Sequence, residues 1–255
     1  MSYTRGVAIA AGLVGALLGV SACLSSDDWE SAPASTPTTS STALQARDDF
    51  VAALKKTSGL RMTFTVQSDL DDGSLSGTGA ADPGAQTMTS TVTVNDKYPS
   101  KIEKIQIGNQ IWERDLRQNA SAWLHIDQSK LPKDDKRLVN PADPIGLANL
   151  TPAIGSVEKG SGPGQYLGKF YPARAGLLPL GAPDLTCLCT ALAPFTATVD
   201  EQGRVTSLSF TIDQTGAKTL KMTTTMAGFD QPVRVVKPTK GRIVEAPDSY
   251  YATKS

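Results

Sequence analysis

Leu60-Arg61-Met62-Thr63-Phe64-Thr65-Val66-Gln67, Leu75-Ser76-Gly77-Thr78-Gly79-Ala80-Ala81 and Thr87-Met88-Thr89-Ser90-Thr91-Val92-Thr93-Val94 are the three stretches that decide the fold. In the first, Leu60, Met62, Phe64 and Val66 alternate with polar side chains, the period of a half-buried strand. In the second, Leu75, Gly77, Gly79 and Ala81 alternate with Ser and Thr, and in the third Met88, Ser90, Val92 and Val94 are set against four threonines. Asp71-Asp72-Gly73 and Pro83-Gly84 turn the chain between them. A period of two, sustained through two tight turns, predicts an antiparallel meander with one apolar face.

Upstream of the meander, Thr42-Ala43-Leu44-Gln45 has the spacing of a capping box and predicts a helix. Its stripe is Ala43, Ala46, Phe50, Ala53, Leu54 and Thr57, widened by Leu44 and Val51, with Gly59 as terminator. Downstream, Ile102, Ile105 and Ile107 run into the turn pair Gly108-Asn109, and the chain returns through Ile111-Trp112 and Ala122-Trp123-Leu124-His125-Ile126. The step from Ile102 to Ile105 breaks the period, so a bulge is expected near Glu103-Lys104. Pro141 to Leu150 predicts a short helix, and Gly155 to Pro183, rich in Gly and Pro but carrying Tyr166, Phe170 and Leu177-Leu178-Pro179-Leu180, predicts a long loop. Strands resume with Phe195, Ala197 and Val199, turn at Glu201-Gln202-Gly203, and continue through Leu208, Phe210, Ile212, Leu220, Met222 and Met226. Pro232, Pro238 and Pro247 make the end extended and irregular. No boundary divides residues 42–250, which form a single α+β domain.

The other end of the chain carries an address. After Arg5, the uncharged run from Gly6 to Val20 has the pattern of a secretory signal, shorter and poorer in Leu, Ile and Phe than a bilayer span. A retained signal anchor is the other reading. Val20-Ser21-Ala22-Cys23 resembles the lipobox of bacterial lipoproteins. That resemblance implies a signal peptide of residues 1–22, diacylglycerol attachment to the Cys23 sulfur and cleavage after Ala22. Several acyl chains, at about 0.8 kcal/mol for each buried methylene, make such an anchor effectively permanent. Residues 23–41 comprise the lipidated cysteine and a Ser, Thr, Pro and Ala tether without apolar period, with a flexible-coil reach of roughly 20 to 25 Å. The protein is then expected on the outer face of the cell membrane. Cys187 and Cys189, in Thr186-Cys187-Leu188-Cys189-Thr190, are read as a disulfide. The ring closed at this spacing is very small, so an intermolecular bridge or two free thiols remain open.

Charge and composition exclude several functions. Lys+Arg and Asp+Glu total 25 each, so no basic surplus points to nucleic acid. Removal of Arg5 with the signal leaves 24 basic against 25 acidic side chains, a formal charge of −1. His125 is the single histidine, which argues against multi-histidine metal sites and leaves any Ser/His or Cys/His scheme resting on it alone. Asp127 shares its strand face and is positioned to orient it, but no nucleophile is identifiable. The acid pairs Asp27-Asp28, Asp48-Asp49, Asp71-Asp72 and Asp134-Asp135 lie on the tether, a helix or turns and are expected to be solvated. Gly160-Ser161-Gly162-Pro163-Gly164 lacks the Lys-Ser/Thr of a phosphate loop. No catalytic residue, metal or cofactor is expected.

What occupies the apolar strand face points elsewhere. Met62, Met88, Met222 and Met226, every methionine after Met1, fall on it together with Gly77, Gly79, Ser90 and Gly228. Methionine adapts to irregular partners, and small residues withhold volume. Such a face either leaves a ligand cavity or is filled by the first helix and the loop after Gly155. By strand and helix parity the cavity would be lined by Phe50, Leu54, Met62, Phe64, Val66, Leu75, Met88, Val92, Phe210, Met222 and Met226.

The order of lipobox, tether, amphipathic helix and strand meander resembles the LppX/LprG-type lipoproteins of actinobacterial envelopes, which are related in shape to the LolA lipoprotein carrier. Ala122-Trp123-Leu124-His125-Ile126-Asp127, Thr198-Val199-Asp200-Glu201-Gln202-Gly203-Arg204-Val205 and Phe229-Asp230-Gln231-Pro232-Val233 contribute to the resemblance. It implies a curved antiparallel half-barrel sheet with helices covering the concave face. It also implies a hydrophobic cavity for the acyl chains of a lipid or glycolipid, carried across the envelope without catalysis. A membrane transporter is the partner expected, with Leu177 to Leu180 as part of a lid. The rival reading is a tethered sensor or partner-binding module with a filled core.

Overall fold

The computed structural model describes residues 41–70, 73–116, 122–133, 135, 138–143, 145–172, 192–212 and 220–252. Helix α1 (Ser41–Ser58) opens the fold. It is followed by the meander β1 (Met62–Leu70), β2 (Gly73–Asp82), β3 (Thr87–Asn95), β4 (Ser100–Ile107), β5 (Gln110–Asp115) and β6 (Ala122–Asp127). After the short helix α2 (Leu147–Leu150) come β7 (Ile154–Lys159), β8 (Gln165–Phe170), β9 (Ala193–Val199), β10 (Val205–Ile212) and β11 (Leu220–Ala227). The last elements are β12 (Arg242–Glu245) and α3 (Asp248–Tyr251). The strands make one open twelve-stranded sheet in the order β12-β6-β5-β4-β3-β2-β1-β11-β10-β9-β8-β7. Every neighbouring pair is antiparallel except β12 with β6, which is parallel.

The sheet is curved, and its concave face carries the core. One continuous cluster joins Met88 of β3 to Ile154 and Val157 of β7, with Phe50 and Leu54 of α1 among its members. Those strands stand eight abreast, which laid flat would span roughly 34 Å at 4.8 Å per spacing, several times the reach of one helix's side chains. Helix α1 packs on β7 and β10, and the cluster continues to β3 through the side chains of neighbouring strands. Register shifts between Val205 and Ser207 on β10 and between Ile154 and Ser156 on β7 add local twist.

Helix α1 is fixed by the stripe its sequence carries: Ala46, Phe50, Ala53, Leu54 and Thr57 are buried, while Leu44 is 52% exposed. The Thr57 hydroxyl donates to Ala53 O at 2.7 Å and accepts from the Val205 N–H at 2.8 Å, tying the last turn of the helix to the start of β10.

Four expectations are corrected. No bulge occurs at Glu103-Lys104, because β4 pairs without interruption to both neighbours; Ile102 faces the concave side and Ile105 the convex. The first part of the expected Gly155–Pro183 loop is the β7–β8 hairpin, whose Gly/Pro-rich tip closes with Gly160 N–H donating to Gln165 O at 2.8 Å. The extended C-terminal stretch ends in a strand and a helical turn. Gly79 leaves no gap, since a Cβ there would run into the Phe64 ring and Thr89 O. Gly168 lies likewise under Phe195, 2.6 Å from where its Cβ would be. These glycines make room for cross-strand aromatic rings.

Candidate functional site

The proposed cavity residues come together on the concave face. Phe50, Leu54, Met62, Phe64, Val66, Leu75, Met88, Phe210, Met222 and Met226 are buried in one cluster, and half-buried Val92 packs against it. Under α1 this cluster is close to solid. Phe50 stacks on Phe195 at 5.1 Å, and Phe170 meets the Phe210 ring edge-on at 5.5 Å. A void of about 10 Å³ remains among Phe50, Leu150, Ile154, Phe170, Phe195, Leu208 and Phe210, at the lower limit for one water.

The concave face has a second, smaller cluster at its other end. Ile111 and Ile126 pack with Ala246, and Leu124, Tyr250 and Tyr251 flank them. The C-terminal segment supplies this cover by reaching the β6 edge. On the convex side of the same edge, Lys237 lies over the Trp112 ring at 5.4 Å, and the Trp123 indole N–H donates to Lys240 O at 3.2 Å. The Tyr251 hydroxyl then accepts the Asp127 N–H at 3.1 Å.

Between the two clusters runs a strip where apolar burial is incomplete. Val92 and Val94 of β3, on the margin of the first cluster, Leu124 of β6, on the margin of the second, and Ile102 of β4 between them are half-buried. Across its middle the register sets Ser90 beside Lys104, Lys104 beside Glu113 and Glu113 beside Leu124. Burial pushes the Lys104 ammonium below the ordinary lysine range, and the facing Glu113 carboxylate opposes that shift. Two residues along β4, the Gln106 side chain is fully buried, and among the described residues its Oε1 meets no donor. Parity on β4 and β5 would have located this strip; the period break at Ile102–Ile105, read as a bulge, concealed it.

A separate recess of about 370 Å³ opens on the convex face among Thr63, Thr65, Thr78, Ala80, Thr89 and Thr225. The sequence reading did not single it out.

His125 is built into the sheet. Its ring stacks on Trp112 at 4.9 Å, Nδ1 lies 2.8 Å from both carboxylate oxygens of Glu245, and Nε2 lies 2.7 Å from Gln110 Oε1. Glu245 and Gln110, rather than Asp127, therefore orient the ring. Asp127 turns instead to Ser129, and the hydrogen bond from that hydroxyl heads the causes holding its carboxyl below the usual range. Asp143 is the buried acid: it accepts the N–H groups of Leu147 at 3.0 Å and Ala148 at 2.8 Å, and burial outweighs these bonds to raise its pKa. Among the described residues no group of three His, Cys, Asp or Glu side chains is placed to hold a metal ion. No described helix is long and apolar enough to cross a membrane. Cys23, residues 1–22, the tether to Ser40, Leu177–Leu180, Cys187 and Cys189 lie outside the described residues.

No protein-family model matches the chain, and no curated protein matches it. Among solved structures, the Mycobacterium tuberculosis lipoprotein LppX is similar over 76% of this chain and 99% of its own, at 13% identity and a TM-score of 0.48. A conserved protein from Thermus thermophilus is similar over 78% of this chain and 98% of its own, at 11% identity and a TM-score of 0.40. Likeness at that level carries no activity from one chain to the other.

Proposed function

We propose that this chain is an exported protein, anchored through lipidated Cys23 to the outer face of the cell membrane, that binds the acyl chains of a lipid on the concave side of its sheet. The observation that carries this reading is the half-buried apolar run between two separately packed clusters, with Val92 and Val94 on the margin of the first, Leu124 on the margin of the second and Ile102 between them. Each methylene laid on such a strip gains about 0.8 kcal/mol, so a long chain binds without any covalent step. Met88, buried at the edge of the strip, supplies an adaptable wall. The protein then works as a lipid carrier of the envelope, handing its cargo to or from a membrane partner.

Native mass spectrometry of the chain purified from the cells that make it tests the reading. The expected spectrum contains a protein population heavier by one lipid, and the amino-terminal peptide begins at an acylated Cys23. A chain that carries no lipid and takes up none offered, from phospholipid vesicles or as free fatty acid, refutes carriage.

One observation favours a second reading, a tethered module with a filled core. The four internal methionines are at most 2% exposed, and the void under α1 is about 10 Å³. On that reading the strip is a surface for a protein partner, and the anchor at Cys23 serves only to hold the module at the membrane.

A further inference from the structure

We infer that the strip reads its ligand's head group, preferring a lipid with a neutral primary hydroxyl and placing that hydroxyl against Gln106. The inference rests on the lipid-binding reading and deepens it. Gln106 is fully buried on β4, and its Nε2 donates to Gly108 O at 3.3 Å, which leaves Oε1, itself buried, as the amide's acceptor. Among the described residues nothing donates to that oxygen. Buried acceptors are nearly always paired, because leaving one bare forfeits most of its solvation. A donor is the missing partner.

The surrounding charges select which donor. Lys104 and Glu113 face each other one pair along the same side of the sheet, so their charges offset and an anionic head finds no net attraction beside Gln106. Lys104, two residues from Gln106 on the same face and already desolvated, disfavours a second cation. An uncharged O–H is what remains. Gln106 is fully buried, so a group that reaches it must displace a neighbour, which favours a single hydroxyl over a bulky ring. Met88 stands directly across from Gln106 in the β3–β4 register, and its unbranched thioether changes rotamer at little cost to admit the group.

The test is displacement of a bound fluorescent acyl chain from the purified full chain by dodecan-1-ol, dodecyl methyl ether and dodecanoate, three probes sharing one tail. The alcohol is expected to bind about threefold to tenfold tighter than the ether, the worth of one hydrogen bond made to an otherwise bare acceptor. It is also expected to bind tighter than dodecanoate at neutral pH. In Gln106→Met, which keeps the volume and removes the acceptor, alcohol and ether should bind alike; should that variant not fold, the wild-type series alone decides. Equal affinity of alcohol and ether in the wild type, or a preference for dodecanoate, overturns this inference and leaves lipid binding standing. Failure of all three probes, and of the fluorescent chain itself, overturns lipid binding and this inference with it.

Discussion

The two ends of the concave face are built on different terms. Beneath α1, sheet and helix meet in a stack of phenylalanines with Leu54, Met222 and Met226, none more than 4% exposed. Beyond β3 no long helix among the described residues covers the sheet; the short C-terminal segment reaches over its far margin, and Ile102 and Leu124 stay half-buried. Packing of the first kind supplies stability and tolerates little change, whereas a half-covered apolar strip is where a ligand adds contact without displacing core. Stability and binding are thereby separated along one sheet, and the separation can be broken by mutation.

The largest effect should come from the solid end. Phe50→Ala removes a fully buried ring that stacks on Phe195 and is expected to cost about 3 to 5 kcal/mol in denaturant unfolding. A loss under about 1 kcal/mol would show that the region collapses easily and is no fixed core. Next come two tryptophans that sharpen the contrast. Met226→Trp overpacks the core and should destabilise by about 1 to 3 kcal/mol. Ile102→Trp fills the strip instead; it should leave stability nearly unchanged while weakening acyl binding by about tenfold, the contact of two methylenes. Reversal of the two outcomes would move the binding region under α1.

A smaller effect depends on pH. Burial raises the Asp143 pKa, so the folded chain takes up that proton before the unfolded chain does. Its contribution to stability is complete below the ordinary aspartate value and is lost as pH rises through the folded value. The stability of the wild type relative to Asp143→Asn should therefore shrink in thermal unfolding as pH rises above the ordinary aspartate value. A difference that grows with pH would mean that the hydrogen bonds to Leu147 and Ala148, rather than burial, dominate. Smallest is Glu245→Gln at the other end, which weakens the contact of β12 with His125. Glu245 is largely exposed, so the loss should stay within about 1 kcal/mol, read as faster hydrogen exchange at Ala246 N–H.

The same contrast accounts for what was legible in the sequence. The meander β1–β3 and helix α1 were plain because their faces alternate strictly between water and core, and that alternation is what periodicity detects. The β7–β8 hairpin was hidden because Gly168 lies under Phe195 and the hairpin tip is rich in Gly and Pro, so local composition spoke for a loop while pairing across the sheet decided otherwise. Strand β12 could not be read from Arg242-Ile243-Val244-Glu245, which carries no alternation and depends on β6 for its partner. The residues proposed as a lining share one face and one cluster, an arrangement that a filled core has as well. Which part of that face is filled depends on where α1 and the C-terminal segment land, and periodicity holds no record of that.

The most direct measurement is photolabelling with a diazirine-bearing long-chain lipid, followed by peptide mapping of the crosslinks. Binding on the strip predicts labels concentrated at Val92, Val94, Ile102 and Leu124 and sparse on α1. Labels confined to α1 and the convex threonine face, or labelling that excess unlabelled lipid does not compete away, would contradict it.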